Sequence, residues 1–88
     1  MRGFVYIIQD SLSRKFYIGS TNDLERRLKQ HRYGHTATTK RMKKKKLVFS
    51  QEFETLELAR KTELRIKNFK RKDYIEKIIE DGLIKANY

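Results

Sequence analysis

Cysteine is absent from this 88-residue sequence, which excludes disulfide bonds and thiolate metal sites. Long apolar runs are absent too, since no window approaches the ~18 consecutive apolar residues that a membrane span requires. The first residues, MRGFVYIIQDSLSRKF, reach charged side chains too soon for a secretory signal peptide. A chain of this length can build only a single core, so we expect one domain. Because it lacks a membrane span and a signal peptide, we expect this domain to be soluble and cytoplasmic, with no membrane partner.

Acidic residues are also scarce, because 11 Asp and Glu stand against 22 Lys and Arg and give a formal net charge of +11. An excess of this size is typical of proteins that bind a polyanion, and nucleic acid is the first candidate. A membrane surface is a weaker candidate, since no helix pattern shows a strong apolar face opposite a basic one. The remaining alternative is a protein that uses lysine only for solubility.

Two short runs rich in aromatic and β-branched residues, FVYII and KFYIG, flank the turn-forming sequence QDSLSR and predict a β-hairpin. A loop at residues 10–13 would set Tyr6 directly opposite Tyr17. Strand alternation sorts the side chains into two sets, one on each face of the hairpin: Val5, Ile7, Phe16 and Ile18, against Phe4, Tyr6, Ile8, Tyr17 and Gly19.

A helix is predicted next, from Asn22, which has a glutamate three residues on as in a capping box, to about Arg32. Its apolar stripe begins at Leu24 and continues with a second leucine four residues on. Arg27 and His31 lie three and seven residues after Leu24, on the same side of the helix. A long cationic side chain in that position either extends to solvent or reaches a site at the edge of the sheet.

The second half of the sequence begins with the run KRMKKKK at residues 40–46, which predicts a basic loop or a short helix. A third strand follows, with Leu47, Phe49 and Phe53 in alternation. The next helix begins after Thr55 as its cap, and its inward stripe unexpectedly contains a carboxylate, Glu63.

A last helix, KDYIEKIIED, is expected to place its isoleucines inward and to stop at Gly82. Residues 83–88 then form a C-terminal tail, and the domain covers residues 1–82. The predicted fold class is α/β, a small three-stranded antiparallel sheet flanked by helices in the order β-β-α-(basic segment)-β-α-α.

Each unusual residue also has an ordinary structural explanation. The two tyrosines of the hairpin could be a stacked aromatic pair on the sheet. Glu63 could pair with Arg60 or Lys67 on its own helix. His31 could be a helix-end histidine favoured by the helix dipole, and residues 40–46 could be a solvated loop.

Taken in order, however, these residues resemble the GIY-YIG nuclease family, which is named for two short motifs on its first two strands. YIG at 17–19 matches the second motif, and VYI at 5–7 resembles the first, with valine in place of the Gly-Ile lead. Arg27 matches the catalytic arginine of the family, and His31 a position held by His or Tyr. Glu63 matches its metal-binding glutamate.

The resemblance spans roughly residues 3–72, with Ser20 standing where several members carry a basic residue. It implies a metal-dependent endonuclease that hydrolyses DNA phosphodiester bonds with Mg²⁺ or Mn²⁺. The implied roles are water orientation or deprotonation by Tyr6 and Tyr17, phosphate neutralisation by Arg27, proton transfer or phosphate binding by His31, and metal binding by Glu63.

Several basic residues are expected to contact DNA phosphates without reading base edges, so that specificity would come from DNA shape or from a protein partner. They are Lys40, Arg41, Lys43, Lys44, Lys45, Lys67, Lys70, Arg71 and Lys72. The alternative function is a catalytically inactive nucleic-acid-binding module with the same fold, and a third is a basic protein associated with RNA or the ribosome.

Overall fold

The structure is a computed structural model that describes residues 2–32, 45–69, 71–82 and 84, apart from the side chains of residues 31 and 32. In these residues, three strands and three helices follow one another in the predicted order, β-β-α-β-α-α. Their bounds are β1 Gly3–Asp10, β2 Phe16–Thr21, α1 Leu24–Arg32, β3 Lys45–Phe53, α2 Leu56–Phe69 and α3 Lys72–Asp81. The strands form one antiparallel sheet in the order β2-β1-β3, which confirms the predicted fold class.

The central strand β1 is buried on both faces, because helices cover both sides of the sheet. Val5 and Ile7 belong to the larger core, whose buried members are Val5, Ile7, Ile18, Phe49, Ala59, Ile66, Ile78 and Ile84. Tyr6 and Ile8 point to the other face and form a smaller cluster with Tyr17 and the two leucines of α1. A continuous apolar run such as VYII is typical of a strand buried on both sides.

The hairpin register differs from the prediction, since Tyr6 lies opposite Gly19 and Tyr17 lies opposite Ile8. The loop is longer than expected and occupies residues 11–15, where Asp10 accepts hydrogen bonds from the Leu12 backbone N–H (3.2 Å) and the Ser13 hydroxyl (2.7 Å). The pairing has shifted by two residues, which preserves the strand period and therefore leaves each side chain on its predicted face.

Helix α1 begins one residue later than the capping-box pattern predicted. Asp23, and not Asn22, supplies the cap, because its Oδ1 accepts a hydrogen bond from the Arg26 backbone N–H at 3.1 Å. The side of the helix that packs on the sheet is the predicted one, since Leu24 and Leu28 contact the cluster around Tyr6.

The third strand starts at Lys45, two residues before its predicted start, and it contains a register shift between the partners of Ile7 and Ile8. The shift makes Val48 the additional residue of β3 and turns its side chain toward the larger core. Leu47 is exposed as a result, so its predicted place in the alternating apolar set is wrong, whereas Phe49 is buried as predicted.

Two further helix boundaries, the start of α2 and the end of α3, agree with the sequence signals. The Thr55 hydroxyl accepts the Leu58 backbone N–H at 3.1 Å and caps α2. Gly82 ends α3 in the left-handed conformation (φ 77°), with its N–H on the Ile78 carbonyl at 2.9 Å. Within the predicted tail, Ile84 packs in the larger core, and its N–H donates to Gln51 Oε1 at 2.8 Å.

Candidate active site

The two tyrosines of the hairpin are neighbours, although not directly opposite each other. Their ring centroids are 6.3 Å apart with an interplanar angle of 33°. Tyr6 is fully buried and Tyr17 is half-buried at the sheet surface. The aromatic contact that the sequence suggested is therefore present as a diagonal pair, a distance that long aromatic side chains can span.

Helix α1 directs a guanidinium onto the buried phenol. Arg27 Nε donates a hydrogen bond to the Tyr6 hydroxyl oxygen at 3.2 Å, and Arg27 Nη1 donates to Gln30 Oε1 at 3.0 Å. Arg26, the preceding residue, is exposed. The helical spacing from Leu24 thus correctly distinguished the inward arginine from its neighbour.

The electrostatic surroundings keep Tyr6 protonated. Burial raises the pKa of Tyr6 to about 12, and the hydrogen bond from Arg27 opposes part of that rise. The negative charge of Glu63 also raises the pKa of Tyr6. The phenol oxygen in turn raises the pKa of Arg27, so this side chain is a permanent cation beside a neutral phenol.

Glu63 reaches the same region from α2. Its Oε1 accepts a hydrogen bond from the Ser20 hydroxyl of β2, and its Oε2 pairs with the Lys67 ammonium one turn along the helix. The carboxylate side chain is only 17% exposed. The pairing with Lys67 was one of the ordinary explanations for Glu63, and it is confirmed, while the bond to Ser20 ties the carboxylate to the strand that carries Tyr17.

Ser20 and the second role of Lys67 were not identified from the sequence. The Lys67 ammonium lies 6.0 Å from the centroid of the Tyr17 ring, within cation–π range, so one lysine links the carboxylate and the tyrosine. Alternation along β2 contained the missing signal, because it places Ser20 on the face of Ile18, the face that α2 covers.

Gly19 gives Tyr6 the space that it occupies. A Cβ atom on Gly19 would lie 2.4 Å from the Tyr6 hydroxyl oxygen and 2.5 Å from Cζ. These distances are far shorter than an ordinary van der Waals contact. The glycine of the YIG motif therefore permits close approach of the backbone to the buried phenol.

The structure brings Tyr6, Tyr17 and Arg27 together on one face of the sheet. Glu63 comes from the other face and is linked to them indirectly, through Ser20 of β2 and through Lys67, which lies near the Tyr17 ring. The fifth predicted site residue, His31, lies in the last turn of α1, and its side chain falls outside the described residues.

Of the predicted DNA contacts, Lys40, Arg41, Lys43, Lys44 and Lys70 also lie outside the described residues. Among the others, Lys45 begins the edge strand opposite β2, and Arg71 pairs with Asp73.

Few of the described residues could hold a divalent metal. The described part of the chain contains no group of three or more His, Cys, Asp or Glu side chains suited to a metal ion. Glu63 alone offers a carboxylate here. One carboxylate completed by waters and substrate phosphate oxygens is an ordinary arrangement for Mg²⁺, so the site fits a metal that binds together with its substrate. A cation on Oε2 would displace the Lys67 ammonium.

The described helices include none that is both long and apolar enough to cross a membrane. The sheet and its flanking helices form a small α/β domain. The model of the GIY-YIG catalytic domain matches residues 2–77, and the chain belongs to this family. Membership supports a nuclease-type function in general terms.

A comparison with solved structures finds similarity to the solution NMR structure of the UPF0213 protein BH0048 from Bacillus halodurans. The TM-score is 0.57 at 29% sequence identity, and the alignment covers 93% of this chain and 87% of that chain. No curated protein matches the sequence significantly.

Proposed function

We propose that the protein is a metal-dependent endonuclease that hydrolyses DNA phosphodiester bonds. The observation that carries the proposal is the contact of the Arg27 guanidinium with the Tyr6 phenol, together with the Glu63 carboxylate, which is linked to this cluster through Ser20 and Lys67. Phosphodiester hydrolysis needs an oriented water, neutralisation of the phosphate oxygens and stabilisation of the departing 3′ oxygen. DNA as the substrate is supported by the family and by the net charge of +11.

Arg27 is the group that we assign to the scissile phosphate. Its guanidinium is always charged and presents several donors in a planar fork that suits phosphate oxygens, and the bond from Nε to Tyr6 fixes the orientation of that fork. Since Tyr6 fixes the guanidinium from a fully buried position, the side chain is ordered before the substrate arrives, and less entropy is lost on binding.

Tyr6 and Tyr17 are assigned to the attacking water. A phenol with a pKa of about 12 is neutral near pH 7, so we assign Tyr6 to orienting the water, with proton removal dependent on additional positive charge at the site. Glu63 would hold Mg²⁺ or Mn²⁺, and the metal would supply charge stabilisation at the phosphate and at the leaving oxygen. His31 stays a predicted proton carrier or phosphate ligand at the end of α1.

Cleavage of supercoiled plasmid in Mg²⁺ or Mn²⁺, with EDTA as the control, tests this function. We expect metal-dependent nicking that Glu63→Gln abolishes. Arg27→Ala should reduce the rate by about 10²-fold, the usual cost of removing one charge-stabilising donor. Arg26→Ala is the matched control, because it removes the same charge from the exposed side of the helix. Equal losses in the two arginine variants, or nicking by Glu63→Gln, would contradict the assignment.

One observation favours a second function, a nucleic-acid-binding module without catalysis. Both oxygens of Glu63 already have protein partners, Ser20 and Lys67, which suits a carboxylate with a purely structural role. Salt-sensitive binding of DNA without any cut product, in every metal tested, would support this module. A preference for RNA in the same binding assay would instead favour an RNA-associated protein.

A further inference from the structure

A cationic surface lies where the β1–β2 loop meets the start of α3. A groove of about 340 Å³ opens there between the two segments. Four of its lining residues are basic: Arg14, Lys15, Arg71 and Lys72. Two of these, Arg14 and Lys15, were not among the DNA contacts expected from the sequence. The groove is open to solvent, and its cationic side chains are exposed.

The backbone at Arg14 adopts a conformation that residues other than glycine rarely take. Arg14 has φ 61°, which makes it the one non-glycine residue with positive φ in the described part of the chain. Glycine adopts this conformation at no steric cost, and asparagine does so more easily than arginine. A strained backbone of this kind is a reason to look for a functional role, and here the strained residue carries a guanidinium into the groove.

The loop that presents Arg14 is held firmly. The Arg14 N–H donates to the Asp10 carbonyl at 2.7 Å, and the Asp10 N–H donates to the Lys15 carbonyl at 3.0 Å. The Asp10 side chain, which is nearly buried, accepts the Leu12 N–H and the Ser13 hydroxyl. The backbone that carries the basic pair is therefore fixed before any ligand binds, which reduces the backbone entropy lost on binding.

The charges of the groove are largely unopposed. Among the described residues, no carboxylate forms an ion pair with Arg14, Lys15 or Lys72. Arg71 is paired with Asp73 (Nη2 to Oδ2, 2.8 Å), but both side chains of that pair are about two-thirds exposed. Exposed pairs of this kind contribute little, so a phosphate could take over the Arg71 guanidinium.

The chemistry of the groove points to its ligand. Lys15 and Phe16 immediately precede Tyr17, so the groove lies at the end of β2 that carries the predicted catalytic tyrosine. Phe16 packs against the larger core, so the groove opens on the face of the sheet opposite to Tyr6. Four cations in one open groove suit the regularly spaced phosphates of a nucleic-acid strand, ~3.4 Å apart along the helix axis.

We propose that the groove lined by Arg14, Lys15, Arg71 and Lys72 binds backbone phosphates of the nucleic acid outside the candidate active site. The inference rests on the proposed function for the identity of its ligand. The contacts carry charge without any reader of base edges, so the subsite positions the substrate and does not select its sequence.

Binding of a fluorescein-labelled 20-bp duplex in EDTA, followed by anisotropy across a salt series, tests the subsite without cleavage. Lys15→Gln/Lys72→Gln removes two charges from the groove. Lys61→Gln/Lys77→Gln removes two charges from exposed helix positions that do not line it. Losing two phosphate contacts should lower the slope of log K against log salt by about 1.8 and weaken binding at 0.1 M salt by at least about tenfold. The control should change neither value appreciably.

Equal losses in the two double variants would mean that net charge alone attracts the duplex, and would overturn the subsite, as would no loss in either. A wild-type protein that does not bind the duplex at low salt would overturn the subsite and the proposed function together. Binding through the groove without cleavage in metal would leave the subsite standing and remove only the nuclease.

Arg14→Gly separates the ligand role from a structural role. Glycine relieves the strained backbone, so we expect an unchanged or raised Tm together with weaker binding of the duplex. A lowered Tm would show that the Arg14 side chain supports the fold, and unchanged binding would show that it does not contact the ligand. Either result would overturn the role assigned to Arg14.

Discussion

The closest packing in the candidate active site lies between Gly19 and Tyr6, and Gly19→Ala tests it directly. The new methyl group would meet the Tyr6 hydroxyl oxygen at 2.4 Å and Cζ at 2.5 Å, so one of the two residues must move by about 1 Å to restore a contact near 3.5 Å. Tyr6 is fully buried beneath Ile8 and the leucines of α1, and it pairs with Gly19 across the hairpin. Neither the ring nor the strand can withdraw freely.

The cost follows from two terms. Overpacking of a well-packed core costs about 1–3 kcal/mol. Displacing the phenol from Arg27 breaks a hydrogen bond with a charged donor, which adds about 1.5–3 kcal/mol if the bond is lost completely. We therefore expect a loss of about 2–5 kcal/mol, against a total stability of about 4–13 kcal/mol for a domain of this length. A loss of that size lowers Tm by at least about 10 °C.

Urea unfolding followed by circular dichroism measures the change. Gly82→Ala is a suitable comparison. Gly82 has φ 77°, and a methyl group added there would meet nothing within 4 Å. The cost of Gly82→Ala, about 1–2 kcal/mol, would therefore come from the backbone alone. Gly19 does not have a positive φ, so the cost of Gly19→Ala would come from the contact with Tyr6 and not from the backbone conformation. Tyr6→Phe in the Gly19→Ala background should restore little, because the Cζ contact remains. A Gly19→Ala variant within about 0.5 kcal/mol of wild type would refute the reasoning.

Two further predictions concern the charged and titrating groups of the site. Lys67→Met should tighten Mn²⁺ binding about fivefold, measured calorimetrically without DNA, because a partly exposed ion pair worth about 1 kcal/mol no longer competes for Glu63. Lys61→Met, which breaks the Glu57 pair at the same i, i+4 spacing, should leave Mn²⁺ affinity unchanged, and equal affinities in all three proteins would rule out competition by Lys67. The pKa of Tyr6, about 12 when folded against an ordinary 10, predicts that the free energy of unfolding falls between pH 10 and 12, where the unfolded chain releases a proton that the folded chain retains. Tyr6→Phe should remove this part of the alkaline loss, and parallel pH profiles for the two proteins would show that Tyr6 is not responsible.

The faces of the hairpin could be predicted from the sequence because they depend on a local period of two. Val5 and Ile7 point to one side and Tyr6 and Ile8 to the other in any antiparallel pairing. The register could not be predicted in the same way, because it depends on the length of the loop. The Asp10 hydrogen bonds and the left-handed Arg14 lengthen that loop beyond the expected turn.

The inward position of Arg27 was equally predictable, since a helix fixes which residues share a face within one turn. Its partner was not, because the Tyr6 oxygen comes from another element. The bond from Ser20 to Glu63 joins residues 43 positions apart in the chain, and no local period connects such positions. The register shift in β3 that exposes Leu47 is also a matter of how the strands pair.

The sequence by itself determined the order of strands and helices, the faces that they bury, and the family motifs at residues 5–7 and 17–19, since each of these depends on residues close together in the chain. Only the tertiary structure decided that Ser20 and Lys67 hold Glu63, that Gly19 makes room for Tyr6, and that Arg14 stands beside Arg71. Those contacts join separate elements, and their distances are set by how the helices pack on the sheet, which side-chain periodicity does not specify.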